Sequence, residues 1–315
     1  MKKRLIVVVL CLLLLSIPIL TVYAASSVGE AEVGDEIPTI TNPAFTDVAI
    51  TDKNNSAIDV ATEYWASATI ADNNTLVDLT IVYFTIWSSN STASSADAEA
   101  NHYTFSYTQA TDTYAEVGPN AGGTDMVAAN CSDPADQSAR SGTFRLAFKL
   151  DKQGDHTHST TGWSIRINVT DDGANTDSET QLFFGVNYYS EMTVDDATHG
   201  WTGLSPGDTD VLLTSPGDFD IDITVTSNDG FDVQAKGNGT LSSGSNTIAL
   251  SAITIHKDTL GSAIALTTSY ADVGGLTSQT AGEALAKSFK LWITVPNPQP
   301  SGTYEYILSV QVIED

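Results

Sequence analysis

Apolar and polar residues alternate with period two along most of the chain. In the stretch TFRLAFKLD (residues 143–151), Phe144, Leu146, Phe148 and Leu150 fall on one side, and Arg145, Lys149 and Asp151 on the other. In WSIRINVTDDG (residues 163–173), Trp163, Ile165, Ile167 and Val169 share a side. The stretch EYWASATIAD does the same with Tyr64, Ala66, Ala68 and Ile70. Successive side chains of a strand point to opposite faces, so each pattern predicts a strand with one buried face. The run LVDLTIVYFTIW (residues 76–87) is apolar on both faces and predicts a central strand.

The same rhythm resumes after SETQLFFGVNYYSEM. It runs through DFDIDITVTS, TIALSAITIH, FKLWITVP and the terminal TYEYILSVQVIE, where Tyr304, Tyr306, Leu308, Val310 and Val312 share a face. Turn residues recur about every ten positions, the spacing of antiparallel β-sandwiches. Helical periodicity is nearly absent; its best candidate is TAGEALAKSF (residues 280–289). The stretch between residues 110 and 141 is polar and predicts no strand.

The expected fold is all-β: two antiparallel β-sandwich domains in tandem, residues 43–184 and 185–315. They follow a signal peptide (residues 1–24) and a polar leader (residues 25–42) that is a candidate donor strand for a neighbouring subunit. The signal is read from Lys2, Lys3 and Arg4, then the apolar run from Leu5 to Tyr23, then Ala24, Ala25 and Ser26. Uncleaved, that run is long enough to anchor the chain in a membrane, the one membrane attachment the sequence offers. Cys11 lies inside the run, so Cys131 is the single cysteine left and no internal disulfide forms.

Two quoted stretches carry a resemblance: TIADNNTLVDL (residues 69–79) and WSIRINVTDDG. The first half resembles immunoglobulin-like or fibronectin-III-like modules of secreted archaeal surface proteins. The second half, ending in PSGTYEYILSVQVIE, is similar to bacterial and archaeal surface β-sandwiches. The resemblance implies extracellular structural or binding work and brings no catalytic residues with it. A Cys-Trp-Cys triplet is missing, which excludes antibody-type domains.

Charge narrows the partners. Formal net charge is −26 and becomes −29 once the three N-terminal cations are removed. That excludes the basic footprint nucleic acid requires and electrostatic binding to anionic lipid. The expected partners are further copies of the chain, other surface proteins, or glycans. Six sequons begin at Asn54, Asn73, Asn90, Asn130, Asn168 and Asn238, and mark an expected glycoprotein.

Several clusters suggest chemistry. The pattern S-P-G-D-x-D occurs twice, giving Asp208 and Asp210, then Asp218, Asp220 and Asp222. On one strand the last three aspartates would sit about 7 Å apart, opposite Phe219, Ile221, Ile223 and Val225. They form either a solvated face or, with the first pair beside them, a Ca2+ site. Asp171, Asp172 and Asp177 form a second candidate calcium loop. A weaker one places Asp52, Asn54, Ser56 and Glu63 at EF-hand positions, with Ala57 where that loop needs glycine. His156 and His158, beside Asp155, suit zinc but lack an identifiable third ligand. Trp201 and Trp292 are the candidates for stacking on a sugar; Trp292 alternates against Phe289, Leu291 and Ile293 and is expected to face outward. No G-x-S-x-G, H-E-x-x-H or phosphate-cradling glycine loop occurs. The expectation is a non-enzymatic structural protein of the cell surface, such as a filament or surface-layer subunit, with a carbohydrate-binding or adhesive module as the alternative.

Overall fold

The computed structural model describes residues 34–89, 101–118, 125–196 and 198–315. The signal segment, the first half of the leader (residues 25–33) and Asn90 lie outside the described residues. Within them, alternation becomes strand wherever it was strict. Burial along Tyr64–Ala71 alternates residue by residue, as it does along Trp163–Asp171. Two separate hydrophobic cores result, one drawn from residues 40–186 and the other from residues 213–293.

The first core lies between two sheets. Strands β1 (Thr39–Asp47), β3 (Tyr64–Ala71) and β7 (Ser141–Phe148) form a three-stranded sheet in the order β1-β3-β7. Facing it is a six-stranded sheet. It comprises β2 (Ser56–Ile58), β4 (Leu79–Ser88), β5 (His102–Thr108), β6 (Thr113–Val117), β8 (Trp163–Asp171) and β9 (Thr176–Val186), in the order β2-β9-β8-β4-β5-β6. Aromatic rings bridge the gap: Phe45 of β1 lies 4.9 Å from Phe184 of β9, and Phe144 of β7 lies 5.1 Å from Tyr107 of β5. Phe45 is fully buried; burying a phenylalanine contributes about 1.5–3 kcal/mol.

Details depart from the sequence reading. The pairing of β2 with β9 is parallel, so the sheet is not wholly antiparallel. The central strand begins at Leu79, because Leu76–Asp78 forms a 3-10 turn. Strand β6 lies inside the stretch read as unstructured. A sheet of six facing a sheet of three also differs from the four-plus-three of an immunoglobulin constant domain. The end of the leader forms β1, paired with β3 of its own sheet, so residues 39–47 are not free to enter a neighbour. Pro43, which has no N–H to donate, sits where the β1 register shifts between Thr41 and Ala44.

The second core is built from β10 (Ser190–Val194), β11 (Val211–Leu212), β12 (Ile221–Ser227), β16 (Ile253–His256), β17 (Ile264–Ala265) and β19 (Gly282–Ile293) on one side. The other side holds β13 (Phe231–Gly237), β18 (Ala271–Asp272) and β20 (Leu308–Glu314), with β14 (Leu241–Ser243) and β15 (Asn246–Ile248) as a hairpin. Strand β19 covers most of the one segment expected to be helical. Its alternate residues Leu285, Lys287, Phe289 and Leu291 meet Val225, Ile223, Ile221 and Ile255 across the ladders, and that pairing outweighs the helix preference of a short Ala-rich stretch.

Residues 36–315 fold as one compact unit. The two cores meet at Asn228, in the turn between β12 and β13. Its side-chain N–H groups donate to the carbonyls of Gly154 and Asn187, each at 3.0 Å, and its carbonyl accepts the Tyr189 N–H at 2.7 Å. Asn228 is buried and every polar atom of its side chain is engaged. Lys152 adds an exposed ion pair to Glu191 at 2.7 Å.

Candidate functional site

A cleft of about 870 Å³ opens on the second half, within the range of small-ligand sites. Its floor is the edge of the second core, at Leu241, Ile248, Ile293 and Val295. One wall is the segment after β10, carrying His199, Trp201 and Leu204; the other is the segment leading into β20, carrying Gln299, Tyr304 and Tyr306.

The wall residues are held from behind. The Trp201 indole N–H donates to the Val211 carbonyl at 2.9 Å, which fixes the ring against β11 and leaves it half-buried. His199 and the Tyr306 hydroxyl are 2.8 Å apart and their rings meet edge to face. The Tyr304 hydroxyl donates to the Pro300 carbonyl at 2.8 Å and receives the Gln299 amide at 2.6 Å. Burial holds the His199 imidazole below its ordinary pKa, because the imidazolium would lose its water. Burial likewise pushes the Tyr306 phenol up. The cleft is therefore lined by neutral, hydrogen-bonding aromatic groups. Glu305 is the one carboxylate among its lining residues, so the carboxylate pair of a glycosidase is not built here.

The tryptophans separate. Trp201 lines the cleft. Trp292 is buried, 7 % exposed, opposite Leu212 on one side and Thr254 on the other. It does alternate away from the main core stripe, but flanking strands cover it, and it offers no face to a ligand.

The carboxylate clusters disperse. Asp208 caps its own turn by accepting the Ser205 N–H, and Asp210 is tied to Thr294. Asp220 reaches Lys290 at 3.5 Å, and Asp222 lies opposite Ser288. The two anchor points, Lys290 on β19 and Thr294 just past its end, are about 13 Å apart along the chain. The two S-P-G-D segments thus follow one another along the same edge of β19 and do not share an ion. Asp218 sits in a turn, and Phe219 is 45 % exposed with φ of 69°, so the alternation starts only at Ile221. Asp195 and Asp196 join this acidic patch through backbone and threonine contacts. Partial desolvation, then the neighbouring Asp218, Asp196, Asp220 and Asp195, raise the pKa of Asp222.

Asp171 is buried and closes its turn by accepting both the backbone and side-chain N–H groups of Asn175, at 2.7 and 2.9 Å. Asp177 accepts the Ile40 N–H at 2.8 Å, fastening β1, while Asp172 is exposed. Asp171 and Asp177 thus hold a turn and strand β1, and Asp171 also stands with Asp35 and Asp78 in a group whose carboxylate oxygens all lie within 4.8 Å of one another. The EF-hand-like residues also part company. Asp52 caps a local turn, Asn54 accepts from Phe183, and Glu63 accepts from Trp65 and Asn130.

The sequons divide by exposure. Asn73 and Asn238 are exposed. Asn168 is half-buried on the outer face of β8, and Asn54 uses its carbonyl to hold Phe183. The Asn130 amide nitrogen, the atom a glycan would take, donates to Glu63 at 2.7 Å.

His156 and His158 do meet further ligating groups, but from elsewhere in the chain: Asp229 and Glu314. Asp155 instead contributes its backbone carbonyl to the Trp163 indole N–H at 2.8 Å. Nothing in local spacing could have found partners that lie 73 positions from His156 and farther along the chain, at Asp229 and Glu314.

No protein-family model matches the sequence, and no curated protein matches it. Among solved structures, it is similar to the C-terminal domain of the Streptococcus pyogenes antigen I/II-family protein AspA, with 9% identity and a TM-score of 0.25, covering 89% of this chain and 97% of that one. The C-terminal domain of the Streptococcus agalactiae antigen I/II polypeptide BspA is similar at 11% identity and a TM-score of 0.24, covering 88% and 96%. At such TM-scores the likeness stops short of a shared fold, and nothing of those domains' roles carries over.

Proposed function

We propose that the chain is a non-enzymatic extracellular protein of the cell surface that binds glycans through the cleft of its second half. The observation that carries this reading is the cleft itself. A half-buried indole and two tyrosines stand over an apolar floor, with neutral donors and acceptors on the rim. Sugars present both apolar C–H faces and hydroxyl groups, and such a surface matches both. The acidic net charge suits neutral sugars over anionic ones. The filament reading rests on the leader, residues 25–42, as the segment that pairs between copies; its last part, residues 39–42, is already paired within the chain as the start of β1, so the cleft is favoured.

The test is a glycan array with the secreted protein, followed by titration monitored through tryptophan fluorescence. Trp201→Ala should abolish binding. Because Trp201 also packs against the second core, Glu305→Ala on the exposed rim provides a variant that leaves the core intact and should weaken binding. Wild-type protein that binds no sugar on a broad array refutes the proposal.

A further inference from the structure

We propose that His156, His158, Asp229 and Glu314 form a four-ligand site for a divalent transition metal, zinc above all, that clamps the first half of the protein to the second.

The four side chains come from three places. The histidines lie in the loop between β7 and β8, Asp229 in the turn between β12 and β13, and Glu314 at the end of β20. Their ligating atoms all lie within 4.8 Å of one another. Asp229 Oδ2 is 2.9 Å from His156 Nδ1 and 2.8 Å from His158 Nε2. Glu314 Oε1 is 3.5 Å from His156 Nδ1 and 3.2 Å from His158 Nδ1. Two ligands each about 2.1 Å from a tetrahedral zinc ion sit about 3.4 Å apart, the scale of the His156 distances to Asp229 and Glu314; His158 would ligate through one ring nitrogen and release its other carboxylate contact.

Both ring nitrogens of His158 face carboxylate oxygens, so His158 can turn either nitrogen to an ion. The two carboxylates supply two negative charges, which one divalent ion cancels. Two nitrogen donors and four ligands select zinc over calcium, which takes six to eight oxygens.

The loop is shaped before any ion arrives. The Trp163 indole fixes the Asp155 carbonyl at 2.8 Å. A side chain at Gly185 would collide with the Ser159 carbonyl, and one at Gly162 with Thr157, so glycine at both positions lets the loop lie flat on β9. His158 adopts φ of 48°, a left-handed conformation that a non-glycine residue holds only under constraint. Asp229 Oδ1 accepts the Gly230 N–H at 2.7 Å, which aims Oδ2 at the histidines.

The experiment uses the whole secreted chain, stripped with EDTA and titrated with zinc by calorimetry and with cobalt(II) by visible absorption. One zinc per chain, tetrahedral cobalt bands, and an unfolding temperature that climbs with zinc concentration are expected. His158→Gln alters a largely exposed side chain and should leave the circular dichroism unchanged while weakening zinc at least about tenfold, the least that even outer partners of a metal contribute. Asp229→Asn and His156→Ala should do the same, whereas Asp218→Asn and Trp201→Ala should keep full zinc affinity. Failure to take up zinc, a response to calcium alone, octahedral cobalt spectra, or uptake unchanged in both histidine variants would each overturn the site. None of these outcomes bears on glycan binding at the cleft.

Discussion

Replacing Asn228 by alanine tests how the two halves are joined. The side chain makes three hydrogen bonds, to the Gly154 and Asn187 carbonyls and from the Tyr189 N–H, and is only 4 % exposed. Gly154 is buried, so its carbonyl would stay unpaired at about 1–3 kcal/mol. Asn187 is exposed and Tyr189 half-buried, so those partners can turn to water, and each lost bond there costs about 0.5–1.5 kcal/mol. The expected loss is about 2–6 kcal/mol, a large part of a typical stability of about 5–15 kcal/mol. Asn228→Asp should cost more than alanine. It keeps the acceptor for Tyr189 but sets a buried carboxylate oxygen against two carbonyls that need donors. Urea unfolding followed by tryptophan fluorescence and far-ultraviolet circular dichroism reads both variants. A loss below about 0.5 kcal/mol for Asn228→Ala, the range of ordinary surface changes, would show that the two cores do not meet through this residue.

The buried His199 gives a pH dependence. In the unfolded chain it takes up a proton as pH falls through its ordinary value of 6.5, whereas in the fold it does so only lower. Stability should therefore decline below that value by up to about 1.4 kcal/mol per pH unit, and His199→Gln should flatten the slope in urea titrations from neutral to mildly acidic pH; an unchanged slope refutes it. Asp222 has the opposite sense: with its pKa raised in the fold, its ionised form opposes folding near neutrality. Asp222→Asn should stabilise by under about 1 kcal/mol at pH 7, and a destabilised variant in thermal scans would contradict the reading of the acidic patch. In a host that modifies sequons, mass spectrometry of the folded secreted protein should find glycans on Asn73 and none on Asn130, whose amide is committed to Glu63; an occupied Asn130 would be incompatible with that bond.

The strands whose two faces differ most were legible from residue order. Strand β8 buries Trp163, Ile165, Ile167 and Val169 as its alternation required, and β7 buries Phe144, Leu146 and Phe148. Where the pattern is blunt, local reading failed. Residues 280–289 carry alanine and leucine at spacings that suit a helix as well as a strand, and their partners in β12 settled the matter. Trp292 shows the same limit from the other side. Its direction along β19 followed from period two, but whether that direction met solvent depended on β11 and β16 covering it.

The order of residues by itself determined an acidic all-β chain with two hydrophobic series, because the period of a strand is a property of its own backbone. It also drew attention to His156, His158 and Trp201. Tertiary structure alone decided what those residues face. Asp229 and Glu314 reach the histidines, and Tyr304 and Tyr306 reach the wall opposite Trp201, only after sheets far apart in sequence have packed. Packing likewise scattered the aspartates of the two S-P-G-D repeats, since neighbours in sequence were laid end to end along one strand. A site needs atoms converging on a point, and convergence between distant segments is fixed by how cores fill space, which local spacing does not encode.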